Sequence, residues 1–301
     1  MRNLQDVNLM DVIATPDNLE AAWHRVKEKG GQPGGDEVSI EEFEKHLRIH
    51  LRQLANQLKS NQYLPRPIRF YRMEKSNGKT RLIGILSIQD RVVQRAFLNV
   101  FAPFYEKRFH ACSFGYRPGV GVDMAVQKAL NLYNQGYAWV LDGDIETFFD
   151  SIPQEPLKKI LALDIKDRRV RRVINLWLIA GSFHGPRGKE RRGILQGGVI
   201  SPLLANIYLH RFDEEMMARQ RKLIRYGDDF IVMCRNKSDA QQCLIETRQI
   251  LGKLALRISE QKTRILHFEQ GFTFLGKTIL PSPKRQTSSF VRGAFKGICY
   301  R

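Results

Sequence analysis

Two adjacent carboxylates stand beside a glycine in Arg225-Tyr226-Gly227-Asp228-Asp229-Phe230, between the apolar residues Leu223 and Ile224 and the apolar run Phe230 to Met233. A glycine free to take positive φ between two apolar runs predicts a tight β-hairpin whose tip presents the acids. Acids at such a tip can hold a metal ion. They can equally form a solvated Asp-Asp turn, since paired acids are common in turns. A third carboxylate, a basic track and a nucleotide pocket would decide between the two. The stretch Tyr137 to Ile145 reads as an apolar strand running into Asp142 and Asp144, followed by Glu146-Thr147-Phe148-Phe149-Asp150. A buried strand that delivers acids at its end is costly unless they are solvated or bind a cation. Asp142 and Asp144 share one face of that strand, so the residues themselves leave open which is the ligand. Carboxylates converging from different strands suit phosphoryl transfer by two Mg²⁺ ions about 3.5–4 Å apart, which activate an attacking hydroxyl and stabilise a leaving oxygen. Magnesium takes few carboxylates and completes its shell with water and substrate phosphates, and Mn²⁺ is the natural substitute.

The elements that must position these acids follow from pattern and punctuation. Residues 17–29 and 38–59 read as amphipathic helices around the glycine-rich loop 30–37, the second with Phe43, Leu47, Leu51, Leu54 and Leu58 at helical spacing. Residues 65–85 alternate, break at Ser76-Asn77-Gly78-Lys79 and resume, which predicts a hairpin with Lys75, Lys79 and Arg81 around its turn. These cations could grip phosphates, or form a solvated edge that discourages aggregation. Residues 90–101 predict a helix ending near Pro103. Next comes the turn Ser113-Phe114-Gly115-Tyr116-Arg117-Pro118-Gly119, then a helix over 122–134. Arg117 either contacts a backbone phosphate or caps the preceding elements, and the phosphate contact is the reading preferred here. Residues 155–180 predict basic helical structure, and paired glycines at 197 and 198 precede a further helix and allow close approach of backbone to a ligand. Beyond the acidic hairpin, residues 237–256 predict a helix and 272–276 a strand and turn. The segment from Pro281 onward is a basic stretch of little periodicity. Interleaved helices and antiparallel hairpins predict an α+β protein with helices packed on one face of a central antiparallel sheet.

Composition narrows the partner. Forty-nine Lys and Arg against thirty-one Asp and Glu leave a net charge of +18 in 301 residues, with a pI near 9.9. Such an excess favours a polyanion. No apolar run is long enough to span a bilayer, and Met1-Arg2-Asn3-Leu4 opens no signal peptide, so nucleic acid is preferred over a membrane. Cys112, Cys234, Cys243 and Cys299 form no C-x-x-C pair, which argues against a disulfide framework or a zinc site and fits a reducing cytoplasm.

The order of the segments is similar to reverse transcriptases of the group II intron-encoded lineage. The resemblance runs from about Asn18 to Thr278. It is carried by Gly34-Gly35-Asp36-Glu37, Gly78 to Ile85, Asp90-Arg91-Val92-Val93-Gln94, Phe114 to Gly119, Asp144 to Asp150, Gln196 to Asn206, the Tyr-Gly-Asp-Asp hairpin, Glu260-Gln261-Lys262-Thr263 and Phe274-Leu275-Gly276. Each stretch is weak alone; nine in order are specific. The resemblance implies right-hand polymerase fingers and palm with an N-terminal helical extension, the thumb absent or vestigial. Residues 1–64 would be the extension, 65–136 the fingers, 137–280 the palm with inserted elements, and 281–301 a basic tail or the start of a truncated thumb. It implies an RNA-directed DNA polymerase extending a DNA or RNA primer on an RNA template with deoxynucleoside triphosphates.

The family places an aromatic that blocks a 2′-hydroxyl five residues after its first metal aspartate. Asp144 with Phe149 satisfies that spacing, whereas Asp142 lands on Thr147. The resemblance thus assigns Asp144, Asp228 and Asp229 as catalytic and metal-holding, with Ile145 among the metal-holding positions. Lys79 and Arg81 would bind the incoming triphosphate, Gln196 and Gly197 would position template and nucleotide, and Tyr226 would line the substrate site. Lys262 would protonate the pyrophosphate, and residues 274–276 would form the primer grip. Gly227 stands where the family usually has alanine, a change that loosens the tip. The wording of Asp90 to Asn99 and of Trp139 to Asp150 is similar to the CRISPR-associated branch, whose members act beside a spacer integrase; intron RNA is the alternative partner. Two other activities compete: an RNA-directed RNA polymerase, against which Phe149 speaks, and a non-catalytic RNA-binding assembly factor of maturase type, against which three intact acids speak.

Overall fold

Each amphipathic stretch finds its partner in the computed structural model, which describes residue 4 and residues 8–74, 80–184 and 191–280. Helices α1 (Leu9–Ile13), α2 (Pro16–Lys29), α3 (Ile40–Lys45) and α4 (Leu47–Lys59) open the chain. The hairpin β1 (Arg69–Glu74) and β2 (Thr80–Ile85) follows, paired from Arg69 opposite Ile85 to Glu74 opposite Thr80. Its turn, with Lys75 and Lys79, lies outside the described residues. Helices α5 (Ile88–Glu106) and α6 (Val122–Asn134) lead to β3 (Trp139–Asp144), the single-turn α7 (Phe148–Ser151), α8 (Gln154–Asp164) and α9 (Arg168–Ala180). A small hairpin of β4 (Phe183–His184) and β5 (Arg191–Arg192) precedes α10 (Ser201–Ala218), β6 (Lys222–Tyr226), β7 (Asp229–Cys234), α11 (Lys237–Lys253) and β8 (Arg264–His267). The hairpin of β9 (Phe272–Phe274) and β10 (Lys277–Ile279) ends the described chain. Among the described residues no helix is long and apolar enough to cross a membrane.

The central sheet is antiparallel, in the order β6-β7-β3-β8. Its strands alternate between two cores. Leu141, Leu223, Phe230, Val232 and Cys234 join the larger cluster with α10 and α11. Val140, Ile224, Ile231, Met233 and Leu266 join a second, with Ala125, Ala129 and Leu132 of α6 and Phe272 and Phe274 of β9. Helices therefore cover both faces, where the alternation predicted one. The reason is legible in β7, whose Phe-Ile-Val-Met-Cys run offers apolar side chains to both sides. Each such large side chain, fully buried, contributes roughly 1.5–3 kcal/mol.

Helix α11 ends at Lys253, three residues short of the sequence pattern, and three other helices differ from it with a visible cause. The 38–59 helix breaks at His46, which leaves helical geometry at φ −122° and ψ 29°. The 155–180 stretch breaks at Ile165–Asp167, where the Asp167 carboxylate caps α9 by accepting from Arg169 N at 2.9 Å and also accepts from Met10 N at 3.0 Å. Helix α5 runs through Pro103 to Glu106. The ring removes one backbone donor, and burial of Phe101 and Tyr105 on either side holds the helix together.

Candidate active site

The acidic hairpin forms as its sequence demands. Tyr226 faces Asp229 across β6 and β7, and Gly227, at φ 67°, makes the turn with Asp228. Strand β3 lies beside β7 in a register that sets Asp144 opposite Asp229. The first acid and the hairpin acids thus meet at one end of the sheet. Burial, the charges of Asp228 and Asp144, and a hydrogen bond to Asp144 push the Asp229 carboxyl up to about 7. Asp228 is also raised, by burial and by Asp144, against the opposing charges of Arg81 and Lys262. Lys262 places its Nζ 2.9 Å from Asp144 Oδ1. Burial works to lower the ammonium's pKa, but this contact raises it above the usual lysine value. Asp142, two residues back, is paired instead with Arg264 Nε at 2.9 Å and sits opposite Ile231. Register therefore separates the two strand acids that alternation left equivalent.

Ile145 is 1% exposed, so its side chain offers nothing to a ligand. Its backbone does. Ile145 bridges Ile258 through the bonds of its neighbours, Glu146 N to Arg257 O at 2.9 Å and Ser259 N to Asp144 O at 2.7 Å. In an antiparallel pair of that kind the residue's own N–H and C=O turn to the opposite side, here the side of β7 and the acidic turn. Among the described residues no three His, Cys, Asp or Glu side chains are gathered closely enough to hold an ion by themselves. Lys262 pairs with one oxygen of Asp144, and Asp229 is hydrogen-bonded to Asp144. The donors still fit magnesium in kind: carboxylate and carbonyl oxygens only, at the end of strands, with carboxyls strained by mutual repulsion. Magnesium binds through one or two carboxylates plus substrate phosphates in preference to a full protein cage.

Beneath the turn lies an element that pattern reading missed. Arg225 is 0% exposed. Its Nε and Nη2 donate to the two oxygens of Asp213 at 2.7 and 2.6 Å, Nη2 also to Ser113 Oγ at 2.8 Å, and Nη1 to Asn206 Oδ1 and the Gly227 carbonyl, both at 3.0 Å. Asn206 in turn donates to the Gly115 carbonyl at 2.8 Å. The loop 112–115 is laced to β6 by Arg225 N to Cys112 O and Phe114 N to Arg225 O, both 2.7 Å. A Cβ on Gly115 would lie 2.5 Å from Gly227 N, so only glycine lets this loop close on the acidic turn. The signal was present: an arginine inside an apolar strand must be paired.

The remaining site positions distribute around this frame. The charge of Arg81 on β2 is felt by both Asp228 and Tyr116. Tyr116, at φ 60° and half exposed, lies over Gly227 and 6.0 Å from the Tyr226 ring, a wall of the site the motifs did not single out. Gln196 reaches Asp150 Oδ1 at 3.5 Å, and its carbonyl accepts from Gly84 N at 2.7 Å. Gly197 lies against the Gly84 carbonyl, so the loop before α10 braces the β1–β2 hairpin. Phe149 follows on α7, edge to face with Phe148, and its carbonyl accepts from Ile194 N at 2.8 Å. Lys79 lies outside the described residues. Residues 274–276 form the turn between β9 and β10, with Phe274 buried in the second core.

Arg117, expected at a backbone phosphate, is engaged within the protein. Its side chain is 10% exposed. Nε and Nη2 donate to Glu106 at 2.9 and 2.5 Å, and Nη1 donates to the carbonyls of His110 and Ser113 at 2.8 and 2.6 Å. The residue thereby ties the Glu106 side chain at the end of α5 to the loop that carries Tyr116.

Residues 73–279 match the family described as "Reverse transcriptase (RNA-dependent DNA polymerase)". Among curated proteins the chain is 33% identical to "Protein YkfC" of Escherichia coli (strain K12), over 94% of this chain and 85% of that protein. It is 27% identical to "Group II intron-encoded protein LtrA" of Lactococcus lactis subsp. cremoris, over 76% of this chain and 49% of that protein, of which it therefore spans about half. Among solved structures, a chain of a "Partial Cas6-RT-Cas1--Cas2 complex" is 26% identical over 82% of this chain and 43% of that one, with a TM-score of 0.48.

Proposed function

The chain belongs to the reverse transcriptase family, with group II intron-encoded relatives, and from that premise we propose that it extends a primer on an RNA template with deoxynucleoside triphosphates. The observation that carries the reading is the register of β3 on β7, which sets Asp144 across from Asp229 with Lys262 against it. Asp144, Asp228, Asp229 and the Ile145 carbonyl would hold two Mg²⁺ ions, which when bound would supply activation of the primer hydroxyl and charge stabilisation of the departing pyrophosphate. The chain's own groups do the rest. Lys262, kept protonated by Asp144, delivers a proton to the pyrophosphate oxygen. Arg81, with Lys79, binds the triphosphate, and Gln196 and Gly197 hold template and nucleotide against the base of the fingers hairpin. The division into an N-terminal extension (1–64), fingers (65–136) and palm (137–280) belongs to the same reading; residues 281–301, read as a tail or incipient thumb, lie outside the described residues.

Phe149 is the sugar gate in this account. Its replacement by alanine is expected to raise ribonucleotide incorporation relative to deoxyribonucleotide by about 10- to 100-fold. Single-nucleotide extension on RNA with each nucleotide type measures the ratio; an unchanged ratio removes the gate. The raised Asp229 carboxyl predicts a pH dependence. Without a cation the Asp229 carboxyl, buried beside Asp228 and Asp144, holds a proton below about pH 7, and Mg²⁺ must displace it. Apparent Mg²⁺ affinity should therefore fall by about tenfold from pH 8 to pH 6 and change little above pH 8. Magnesium titrations of extension rate across that range test the sign.

Supply of cDNA for CRISPR spacer acquisition is proposed on the wording of residues 90–99 and 139–150, with action on an intron RNA as the competing role. Stable association with a spacer integrase supports the first; tight binding of an intron RNA in its place supports the second.

A further inference from the structure

Strand β8 carries a second acid–cation pair beside the one made by Lys262. Arg264 stands opposite Asp142 of β3. Opposite residues of an antiparallel pair share a face, and so do residues two apart along a strand. Arg264 therefore lies on the face that carries Asp144, one rung back from the acids, about 7 Å along the strand. The rung beyond, Val140 opposite Leu266, joins the second core with Phe272 and Phe274 of β9. Arg264 thus occupies the sheet between the acids and the β9–β10 hairpin. Its Nε donates to Asp142 Oδ2 at 2.9 Å, and its side chain is 57% exposed against 17% for Asp142. Neither Nη makes a hydrogen bond among the described residues, so the outer edge of the fork is unused.

Neutralising Asp142 takes one donor, and an exposed ion pair adds little to stability. A guanidinium anchored at Nε offers more: its free edge is a two-pronged receptor for a phosphate, held in place in advance by the carboxylate. The position selects which phosphate. The charge of Arg81 reaches Asp228 and Tyr116 at the β6–β7 turn, and β8 is the opposite edge of the sheet from β6. Arg264 is therefore set back from the triphosphate side, towards β9. The strand that ends at the acids carries its last two internucleotide phosphates about 3.4 and 7 Å of helical rise behind the reacting hydroxyl. We propose that Arg264, oriented by Asp142, binds the primer strand through one of these two phosphates. The inference rests on the reading that a primer ends at these acids; the pair and its unused donors stand without it.

The test measures binding of the full chain to DNA primers annealed to an RNA template, each primer carrying one neutral methylphosphonate linkage at a different position from the 3′ end. In the parent, a neutral linkage at the first or second position should weaken binding by about tenfold. The double variant Arg264→Gln/Asp142→Asn leaves no unpaired carboxylate to repel the strand. It should bind the unmodified primer about tenfold more weakly, with the slope of log K against log salt reduced by roughly 0.9. The neutral linkage at the sensitive position should then cost it nothing further. A purely structural pair would weaken all primers alike and leave the linkage effects as they are in the parent, and that result would overturn the contact. So would the absence of any loss at both positions in the parent, or coupling of the double variant to a template linkage instead. No extension by the parent, with the binding results as expected, would sink the polymerase reading and leave the contact standing.

Discussion

Replacing Arg225 with methionine is expected to destabilise the fold by about 3–5 kcal/mol, because it strands a buried carboxylate without its counter-charge. Asp213 is fully buried and takes both of its close contacts from the Arg225 fork. The same guanidinium supplies the donors for Asn206, Ser113 and the Gly227 carbonyl. Chemical denaturation should show the loss as a lower midpoint. Removing the partner charge as well, in an Arg225→Met/Asp213→Leu pair, should recover most of the stability, since a buried ion pair replaced whole by apolar side chains is often close to neutral. Extension should not recover with it, because Gly227 still lacks its donor and the acidic turn its brace. Recovery of both together would mean that Arg225 serves the core alone; recovery of neither would mean that packing around residue 225 does not tolerate apolar replacement.

How much of this was legible in the sequence depended on range. The Asp-Asp hairpin is local: an apolar run, a glycine and a second apolar run specify β6, the turn and β7 within a dozen residues. The strand that delivers Asp144 and the β1–β2 hairpin were legible for the same reason. Choosing Asp144 over Asp142 was not a local matter, since both lie on one face of β3; only pairing with β7 puts Asp144 opposite Asp229 and leaves Asp142 to Arg264. A guanidinium in a glycine-rich turn looks free in the local sequence, and the pairing of Arg117 with Glu106, eleven residues earlier, is visible only in the fold. Arg225 was overlooked for a related reason. Its partners Asp213, Asn206 and Ser113 come from a helix and a loop with no common periodicity. The second core was underestimated because period-two alternation marks a strand with one buried face, whereas β7 is apolar on both.

Replacing Asp228 with alanine should have the larger effect on activity. The residue sits on the turn, within the field of Asp144, Arg81 and Lys262. With Asp228 as a metal ligand in the proposed function, its loss is expected to slow extension by at least about 10³-fold, equivalent to roughly 4 kcal/mol of transition-state stabilisation. Stability should move the other way. Burial and the neighbouring Asp144 hold the Asp228 carboxyl above its ordinary range, so the metal-free site stores repulsion that alanine relieves. The metal-free melting temperature of Asp228→Ala should therefore not fall, in contrast to Arg225→Met. A variant that loses both activity and stability would place Asp228 in the fold and not in the chemistry.

The acids gathered by β3, β6 and β7 are proposed to make an RNA-directed DNA polymerase. Extension of an annealed primer on an RNA template, with Mg²⁺ and either deoxy- or ribonucleoside triphosphates, measured for the parent and Asp228→Ala side by side, tests it most directly. The parent should incorporate deoxynucleotides in strong preference to ribonucleotides, and Asp228→Ala should incorporate neither. Equal extension by parent and variant, or a parent that binds the primed template and extends with neither nucleotide, would contradict it.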